Sequence, residues 1–277
     1  MPKAKAPSIA VYHATAPTCW WSWGYEATLN RIPLVYGDQV GIHLMLGTVY
    51  EDLAEWMKQY EMTDDAWKRW AQESADLMGV PIRTDYRSKS EPNNVLSATY
   101  AVLAAQKQGT TKGTRFMRAM LRLFVVEGRD VTRREVVMAA AKEADLEARR
   151  FVKDLSDTKA RKEQSDQEGE GFPHLPLGFF NLAVTDGAGR TVLLDNAFDP
   201  GLVEGAIDYL SAGRLTKRNP KDIVGYLREH GLTPSVEIAR VFTLKEKQAE
   251  ASLENLRNEG KIERRLVLGK PHWHVAN

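Results

Sequence analysis

Apolar residues recur along the chain with two different periods, which predict strands on both sides of a long helical region. Short apolar runs bounded by turn-prone residues predict strands over Ser8 to His13 and Val40 to Val49. The segment between them, Trp20 to Ile32, predicts a helix, and Pro33 is expected to end it because proline has no amide proton to donate. The pattern therefore predicts a strand, helix, strand unit near the start of the chain.

Helical periodicity dominates the region that follows. Thr63 is placed to cap a helix whose apolar residues share one face and which is expected to end at Gly79. Four more helices are predicted, over Asn94 to Lys107, Thr114 to Glu127, Arg133 to Glu143 and Leu146 to Leu155. A plain helical bundle would explain this region alone, but it would not explain the strands on either side.

Strands return after a charged stretch. The sequence Asp186-Gly187-Ala188-Gly189 is typical of a hairpin turn, and it lies between the apolar segments Phe179 to Thr185 and Arg190 to Leu194. A helix over Pro200 to Leu210 is predicted next. The whole pattern predicts an α/β protein with a helical insertion at about residues 51 to 168.

Composition adds limits on size and location. The 277 residues are 43% hydrophobic and 27% charged, which suits one large domain or a large and a small one. No apolar stretch approaches the roughly 20 residues needed to span a bilayer. The first residues lead into a predicted strand and do not resemble a signal peptide, so we expect a cytoplasmic protein with no membrane partner.

Residues 213 to 277 differ from the rest of the chain in charge and in pattern. They carry 13 Lys and Arg against 8 Asp and Glu, a charge of +5, while the remaining residues carry −4. Their pattern predicts three short helices followed by two strands, over Lys221 to Glu229, Ser235 to Val241, Lys245 to Asn258, Lys261 to Leu266 and His272 to Val275. We therefore predict domains at 1–212 and 213–277.

Cys19 is the only cysteine, and it stands where the first predicted helix begins. An intramolecular disulfide is therefore impossible, and any redox chemistry would involve glutathione, a partner protein or a second copy of the chain. A lone cysteine is most often a small buried hydrophobic residue, whereas its position after a strand and before a helix favours a functional thiol. Both interpretations stay open at this point.

The order of elements and the residues around Cys19 together resemble the DsbA-like branch of the thioredoxin superfamily. Such proteins carry Cys-x-x-Cys, an aromatic residue, and a Glu four positions after the second cysteine; here Cys19, Ser22, Trp23 and Glu26 occupy those places. The resemblance spans about residues 8 to 211. It implies a thioredoxin-like fold with a helical insertion, and a first cysteine whose pKa is lowered by the helix dipole so that it attacks disulfides.

Two departures from the family pattern change the implied chemistry. Ser22 cannot resolve a mixed disulfide, so an external thiol would have to do so. Phe180 stands where the family has a cis-proline, and a trans bond is expected there because non-proline cis bonds are costly; Pro173 or Pro176 would serve instead if the loop is shifted. The implied activity is thus monothiol exchange by Cys19, with Ser22 as the second catalytic position, and not dithiol oxidation.

The resemblance also implies a substrate cleft. Trp20, Phe180 and His13 are expected to line it, with His13 either stabilising a thiolate or serving as a structural residue. We predict a thiol or disulfide substrate, small molecule or protein, with glutathione as a co-substrate and no tightly bound cofactor. Kappa-class glutathione transferases and 2-hydroxychromene-2-carboxylate isomerases are similar in fold and use a hydroxyl in place of the first cysteine, so a glutathione-dependent transferase or isomerase is an alternative.

The tail resembles a winged helix-turn-helix, especially where Leu253 to Ile262 runs from the third helix into the hairpin. If it binds DNA, the contacts are expected from Lys245, Lys247, Gln248, Arg264 and Arg265. The acidic residues of the same helix oppose phosphate binding, and such modules also bind proteins or form homodimers. A redox- or ligand-sensing regulator and a binding scaffold without either chemistry are therefore the alternatives to an enzyme. No metal site is expected, because His272 and His274 have no acidic or cysteine neighbours.

Overall fold

The computed structural model describes residues 9–47, 53–84, 95–157 and 181–276. The first sheet has four strands in the order β2-β1-β3-β4, namely β1 (Ile9–Thr15), β2 (Val40–Leu46), β3 (Leu182–Asp186) and β4 (Thr191–Leu194). Strand β1 is parallel to β2 and antiparallel to β3, which in turn is antiparallel to β4. A strand, helix, strand unit and a later hairpin therefore share one mixed sheet.

Two helices connect β1 to β2, where the sequence pattern predicts one. Helix α1 (Trp20–Gly24) ends at Tyr25, and α2 (Glu26–Tyr36) continues through Pro33. The expectation that Pro33 ends the helix is wrong. Pro33 lies on the exposed side, while Ile32, Val35 and Tyr36 beside it are buried, so packing of the apolar face holds the helix together despite one lost backbone hydrogen bond.

The insertion is helical throughout its described residues. Its helices are α3 (Leu53–Gln59), α4 (Asp64–Met78), α5 (Leu96–Gln106), α6 (Thr110–Leu121), α7 (Arg134–Glu143) and α8 (Ala148–Leu155), with a π-helical turn over Arg122–Val126. The predicted cap of α4 is present, since the amide of Ala66 donates to Thr63 Oγ1 at 3.1 Å and Gly79 adopts φ +65°. Helices α4 and α6 pack against α1, which places the insertion over the Cys19 end of the sheet.

Helix α9 (Pro200–Ser211) covers β1, β3 and β4 of the first sheet. The residues after it form a second sheet and three helices, α10 (Ile223–His230), α11 (Ser235–Val241) and α12 (Glu246–Asn258). The second sheet has the order β5-β7-β6, with strands β5 (Thr233–Pro234), β6 (Ile262–Val267) and β7 (Lys270–Val275). Of the helices that the structure describes, none is both long and apolar enough to cross a membrane.

Helix α2 belongs to both parts of the molecule. Leu29 and Ile32 are in the core of the first sheet and the insertion, whereas Ala27 is buried among the apolar residues of the C-terminal region, beside Ile238 and Trp273. The architecture is thus a mixed α/β thioredoxin-like fold with a helical insertion, as the resemblance implies, followed by a small sheet-containing region that packs on α2.

Candidate functional site

Cys19 lies directly before α1, at the end of the turn that leaves β1. Its backbone is extended, with φ −93° and ψ 112°; its amide donates to the Ala16 carbonyl at 3.0 Å, and its carbonyl accepts from the Ser22 amide at 3.1 Å. These bonds fix the backbone at the position where the resemblance implies an attacking thiol. The geometry of the main chain therefore suits the family pattern.

The environment of the Cys19 sulfur does not favour a thiolate. The residue is only 3% exposed, and burial raises the pKa of the thiol from 9.0 to about 11. Hydrogen bonds from the Ser22 hydroxyl and from the Ser22 and Trp21 amides lower the pKa, but they do not offset burial. Cys19 is consequently a neutral thiol at physiological pH, the opposite of the lowered pKa that the resemblance implies.

Ser22 is fully buried and faces inward. Its Oγ lies 2.6 Å from Thr15 Oγ1, so the two hydroxyls are hydrogen-bonded across the turn. The same hydroxyl also contacts the Cys19 sulfur. Ser22 thus ties the start of α1 to the end of β1, where a resolving cysteine would otherwise stand.

Trp20 is part of the core and does not line an open cleft, contrary to the sequence-based expectation. It is 4% exposed, and its ring meets those of Trp67 and Trp70 edge to face, with centroids 5.0 and 4.7 Å away. Trp56 joins the same group of rings, since its centroid lies 5.8 Å from that of Trp67. The indole after the cysteine therefore anchors α1 to the insertion.

His13 is also buried, on the face of β1 that carries the core. It is 1% exposed, its ring centroid lies 5.1 Å from that of Tyr25, and neither ring nitrogen has a hydrogen-bond partner within the described residues. Burial lowers the pKa of His13 to about 3, so the imidazole is neutral and supplies no positive charge to a thiolate. Phe180, Pro173 and Pro176 lie outside the described residues.

Glu26, the last residue of the quoted motif, has an ion-pair partner from the insertion. Its Oε2 lies 2.6 Å from Nη1 of Arg118, which projects from α6 and is 4% exposed. The same Nη1 lies 3.0 Å from Oε1 of Glu237 on α11. One guanidinium therefore joins α2, the insertion and the C-terminal region.

The remaining donors of Arg118 are also satisfied. Nε donates to the His230 carbonyl at 2.9 Å, and Nη2 donates to Thr233 Oγ1 and Glu237 Oε2, each at 3.2 Å. The Tyr226 hydroxyl donates to Glu237 Oε1 at 2.5 Å. We call Glu26, Arg118, Thr233, Tyr226 and Glu237 the joint, because these side chains connect the thioredoxin-like region to the C-terminal region.

Burial and pairing act against each other in the joint. Burial lowers the pKa of Arg118. The negative charges of Glu237 and Glu26 raise this pKa by more than burial lowers it, so the guanidinium stays charged. Burial raises the pKa of Glu26, and Arg118 partly opposes that rise. The pattern did not predict this network. The available signal is a basic residue within the apolar run from Phe116 to Leu121, where a buried cation requires acidic partners.

The five residues predicted for DNA lie on two elements of the C-terminal region. Lys245, Lys247 and Gln248 line a cleft of about 900 Å³ that faces the start of α9. Arg264 and Arg265 are consecutive residues of β6, so their side chains point to opposite faces, and Arg264 lies 3.4 Å from Glu254. DNA binding by these residues stays a prediction.

Two solved structures share the thioredoxin-like part of the chain. A putative protein disulfide isomerase from Nitrosomonas europaea superimposes with a TM-score of 0.58 at 16% identity, covering 73% of this chain and 98% of its own. The cytosolic disulfide reductase DsbM from Pseudomonas aeruginosa does so with a TM-score of 0.56 at 21% identity, covering 72% and 99%. At these identities the likeness establishes the fold alone.

The curated relatives match almost the whole chain. A ClpXP adapter protein SpxH from Halalkalibacterium halodurans is 21% identical over 267 residues, covering 94% of this chain and 86% of the relative. The protein of the same name from Shouchella clausii is 24% identical over 269 residues, with the same coverage. A family model described as Thioredoxin matches residues 12–168, more than half of the sequence. The chain therefore belongs to the thioredoxin family.

Proposed function

We propose that this protein is a protein-binding adapter that presents a client protein to a ClpXP-type protease. The observation that carries the proposal is a buried, neutral Cys19 in a chain whose match to proteins named as ClpXP adapters runs over 94% of its length. A buried, neutral cysteine is unfavourable for a thiol enzyme. The match to the adapters extends over almost the whole chain, whereas the disulfide reductase DsbM covers 72% of it.

The extent of the matches supports the adapter over the oxidoreductase. The superpositions cover almost all of the disulfide isomerase and disulfide reductase chains, but they leave over a quarter of this chain unmatched. The alignments with the two adapters, by contrast, cover 94% of this chain and 86% of each adapter. The buried joint supports the same conclusion, because it fixes the C-terminal region to the fold and gives a protein partner one rigid body to bind.

We further infer that residues 213–277 form a winged-helix module that contacts protein. The element order of helix, short strand, two helices and a hairpin, with strands in the order β5-β7-β6, supports a winged helix. The start of α12, which would read DNA bases, instead faces Asp199 and Glu204 across the cleft, and these acidic groups oppose a phosphate backbone. The cytoplasmic location predicted from the sequence is part of this proposal.

Protein turnover in the source organism tests the adapter. Protein half-lives are compared between a strain lacking the gene and strains complemented with the wild type or with Cys19→Ser. We expect one or a few proteins to be longer-lived in the deletion strain and both complementing genes to restore their turnover. Degradation of those clients by the purified ClpXP of the host, with ATP, should then be faster in the presence of this chain.

Two outcomes would contradict the adapter. In the first, no half-life changes on deletion, or purified ClpXP degrades the clients equally fast without this chain. In the second, Cys19→Ser fails to restore turnover although the variant is folded and as abundant as the wild type. That second result would assign function to the thiol itself.

Monothiol exchange at Cys19 is the second candidate, and one observation favours it. The Ser22 hydroxyl and the backbone at Ser22 and Trp21 act to lower the pKa of the Cys19 thiol, and they would stabilise a thiolate once it formed. Glutathione would then be the co-substrate that resolves the mixed disulfide. The burial of Cys19 is the observation against it.

The alkylation rate of Cys19 as a function of pH separates the two candidates. A rise of the pKa from 9.0 to about 11 lowers the thiolate fraction at pH 8 by about 100-fold, so the folded protein should react far more slowly than the same chain in urea. The only cysteine gives an unambiguous signal in mass spectrometry. A pKa at or below about 8.5, together with a glutathione adduct formed from oxidised glutathione, would favour exchange.

A further inference from the structure

A cleft of about 900 Å³ lies where the C-terminal region meets α2 and α9. One wall is formed by Arg31 of α2 and by the start of α9 from Asp199 to Glu204, and the other by the segment from Arg240 to Gln248 that joins α11 to α12. The joint holds α11 against α2, so both walls are fixed in relation to each other. The cleft is therefore preformed.

Arg240, at the end of α11, is a cation in this cleft without a hydrogen-bond acceptor. Its Nη1 is buried and unpartnered, and within the described residues no carboxylate lies at ion-pair distance. Its Nη2 packs against the end of α4, where a Cβ added at Gly79 would lie 3.0 Å away. A buried donor without an acceptor costs about 1–3 kcal/mol, and a carboxylate oxygen from a ligand would remove that cost.

Some of the other charged groups in the cleft already have partners within the protein, and others do not. Arg31 has two partners, since its Nε lies 2.5 Å from Glu204 and its Nη1 donates to the Val241 carbonyl. Asp199 accepts the Gly201 amide at 2.9 Å and caps α9. Lys245 and Lys247 are exposed.

Positive charge is therefore in excess where a ligand would bind. Arg240, Lys245 and Lys247 are cations without an ion pair among the described residues, and they outnumber by one charge the two carboxylates of the cleft that have none, Asp199 and Glu246. The first turn of α12 adds partial positive charge from its amides.

We propose that this cleft binds an acidic polypeptide segment of the client protein, with a client carboxylate on the Arg240 guanidinium and a second one on Lys247. The inference rests on the proposed adapter function and names the chemistry of the client. The planar Arg240 guanidinium matches a carboxylate in shape, and it would turn from the Gly79 side toward the cleft so that its buried Nη1 meets one. Pro200, Val236 and Leu244 offer apolar contacts between the charges.

Nucleic acid fits the same cleft poorly. Asp199 and Glu204 stand on one wall and Glu246 on the other, and α12 continues with Glu250 and Glu254. A duplex carries phosphate charge on two strands along its whole length and would meet these carboxylates wherever it ran, whereas a single peptide chain can direct its flexible carboxylate side chains toward Arg240 and Lys247. A free phosphate would fill only a small part of the space.

Fluorescence anisotropy of a labelled hexaglutamate peptide tests the proposal on the full-length protein. We expect saturable binding that Arg240→Gln weakens by at least about tenfold, because a charge-assisted hydrogen bond is lost. Arg240→Lys should give an intermediate value. Arg228→Gln removes an exposed arginine elsewhere in the C-terminal region and is the matched control, with affinity equal to the wild type. A labelled hexaglutamine peptide should not bind.

The folding of Arg240→Gln is checked by thermal unfolding. Since Nη1 of Arg240 is a buried donor without an acceptor within the described residues, the variant should be at least as stable as the wild type. The proposal is overturned if hexaglutamate does not bind saturably, if Arg240→Gln and Arg228→Gln bind alike, or if a short duplex DNA or inorganic phosphate displaces the peptide at equal concentration. The last result would mark a phosphate site.

The binding assay contains no protease, so it can fail independently of the adapter function. If wild type and Arg240→Gln both accelerate client degradation while neither binds hexaglutamate, the cleft proposal is wrong and the adapter stands. If the peptide binds as expected and no client is degraded faster, the cleft is a peptide site and the adapter proposal is wrong.

Discussion

The Cys19 site and the joint share one short stretch of sequence, yet they treat buried polar groups in opposite ways. Around Cys19, the thiol is neutral and both ring nitrogens of His13 lack partners within the described residues. Four residues beyond Ser22, Glu26 enters a network in which all three nitrogens of Arg118 have acceptors. The comparison shows that the polar groups of the joint, unlike the His13 ring, have partners within the described residues, and that these partners connect two parts of the molecule.

The energetics of buried ion pairs explain why the joint matters for shape more than for net stability. An intact buried pair contributes little, because desolvation offsets the attraction, but removing one partner leaves a buried charge. The network therefore penalises any orientation of the C-terminal region that separates Glu237 from Arg118. A fixed orientation is also what keeps the cleft at Arg240 open to a ligand.

Removing the central charge of the joint should have the largest effect. Arg118→Met leaves two buried carboxylates without a cation, and we expect the free energy of unfolding to fall by about 3–5 kcal/mol in urea denaturation at neutral pH. Adding Glu26→Gln and Glu237→Gln to Arg118→Met should recover part of that loss, because no buried charge then remains.

Arg133→Ala is the matched control for Arg118→Met. Arg133 pairs with Asp130 at 3.3 Å but its side chain is 67% exposed, so its loss should cost less than about 1 kcal/mol. A value for Arg118→Met no larger than that of Arg133→Ala would show that the joint is not energetically distinct, and the comparison would fail.

The fold could be predicted from the sequence where local patterns decide it. The short apolar run of β1 and the hairpin turn at Asp186 predict the strands, and Thr63 and Gly79 predict the ends of α4. The prediction that Pro33 ends the helix is wrong because packing of the rest of α2 outweighs the loss of the Pro33 amide proton. The strength of tertiary packing cannot be derived from one helix alone.

The candidate site was only partly predictable. The place of Cys19 before α1 followed from the strand and helix pattern, but its exposure depends on helices that arrive from far along the chain. Trp20 was expected in a cleft, and what buries it is its contact with Trp67 and Trp70 of the insertion. The joint combines side chains from α2, α6 and α11, a set that only the folded arrangement reveals.

The pH dependence of stability sharpens the Cys19 side of the comparison. Burial lowers the pKa of His13 from 6.5 to about 3, so between these values the unfolded chain binds a proton that the folded protein does not. Stability is therefore lost as the pH falls below 6.5, at about 1.4 kcal/mol per pH unit. His13→Leu should remove this loss, changing the difference in unfolding free energy from wild type by about 2 kcal/mol between pH 7 and pH 5.

Chemical denaturation at several pH values measures that difference. His43→Leu on β2 is the control for replacing a histidine by leucine, because this histidine is exposed. An identical pH dependence for His13→Leu and the wild type would mean that the His13 ring is charged or hydrated in the folded protein, and that its surroundings are less closed than those of the joint.

The smallest effect is expected for a second cysteine at position 22, although the sequence pattern alone would suggest a large gain in disulfide reduction. Ser22→Cys restores the Cys-x-x-Cys pattern, and the Ser22 hydroxyl already contacts the Cys19 sulfur. Both side chains remain buried, however, and a substrate disulfide must reach a sulfur before exchange can begin. Reduction of insulin by Ser22→Cys with dithiothreitol should therefore be no faster than with the wild type. A rate approaching that of an active thioredoxin measured in parallel would show that a second thiol is enough for disulfide exchange at this site despite its burial.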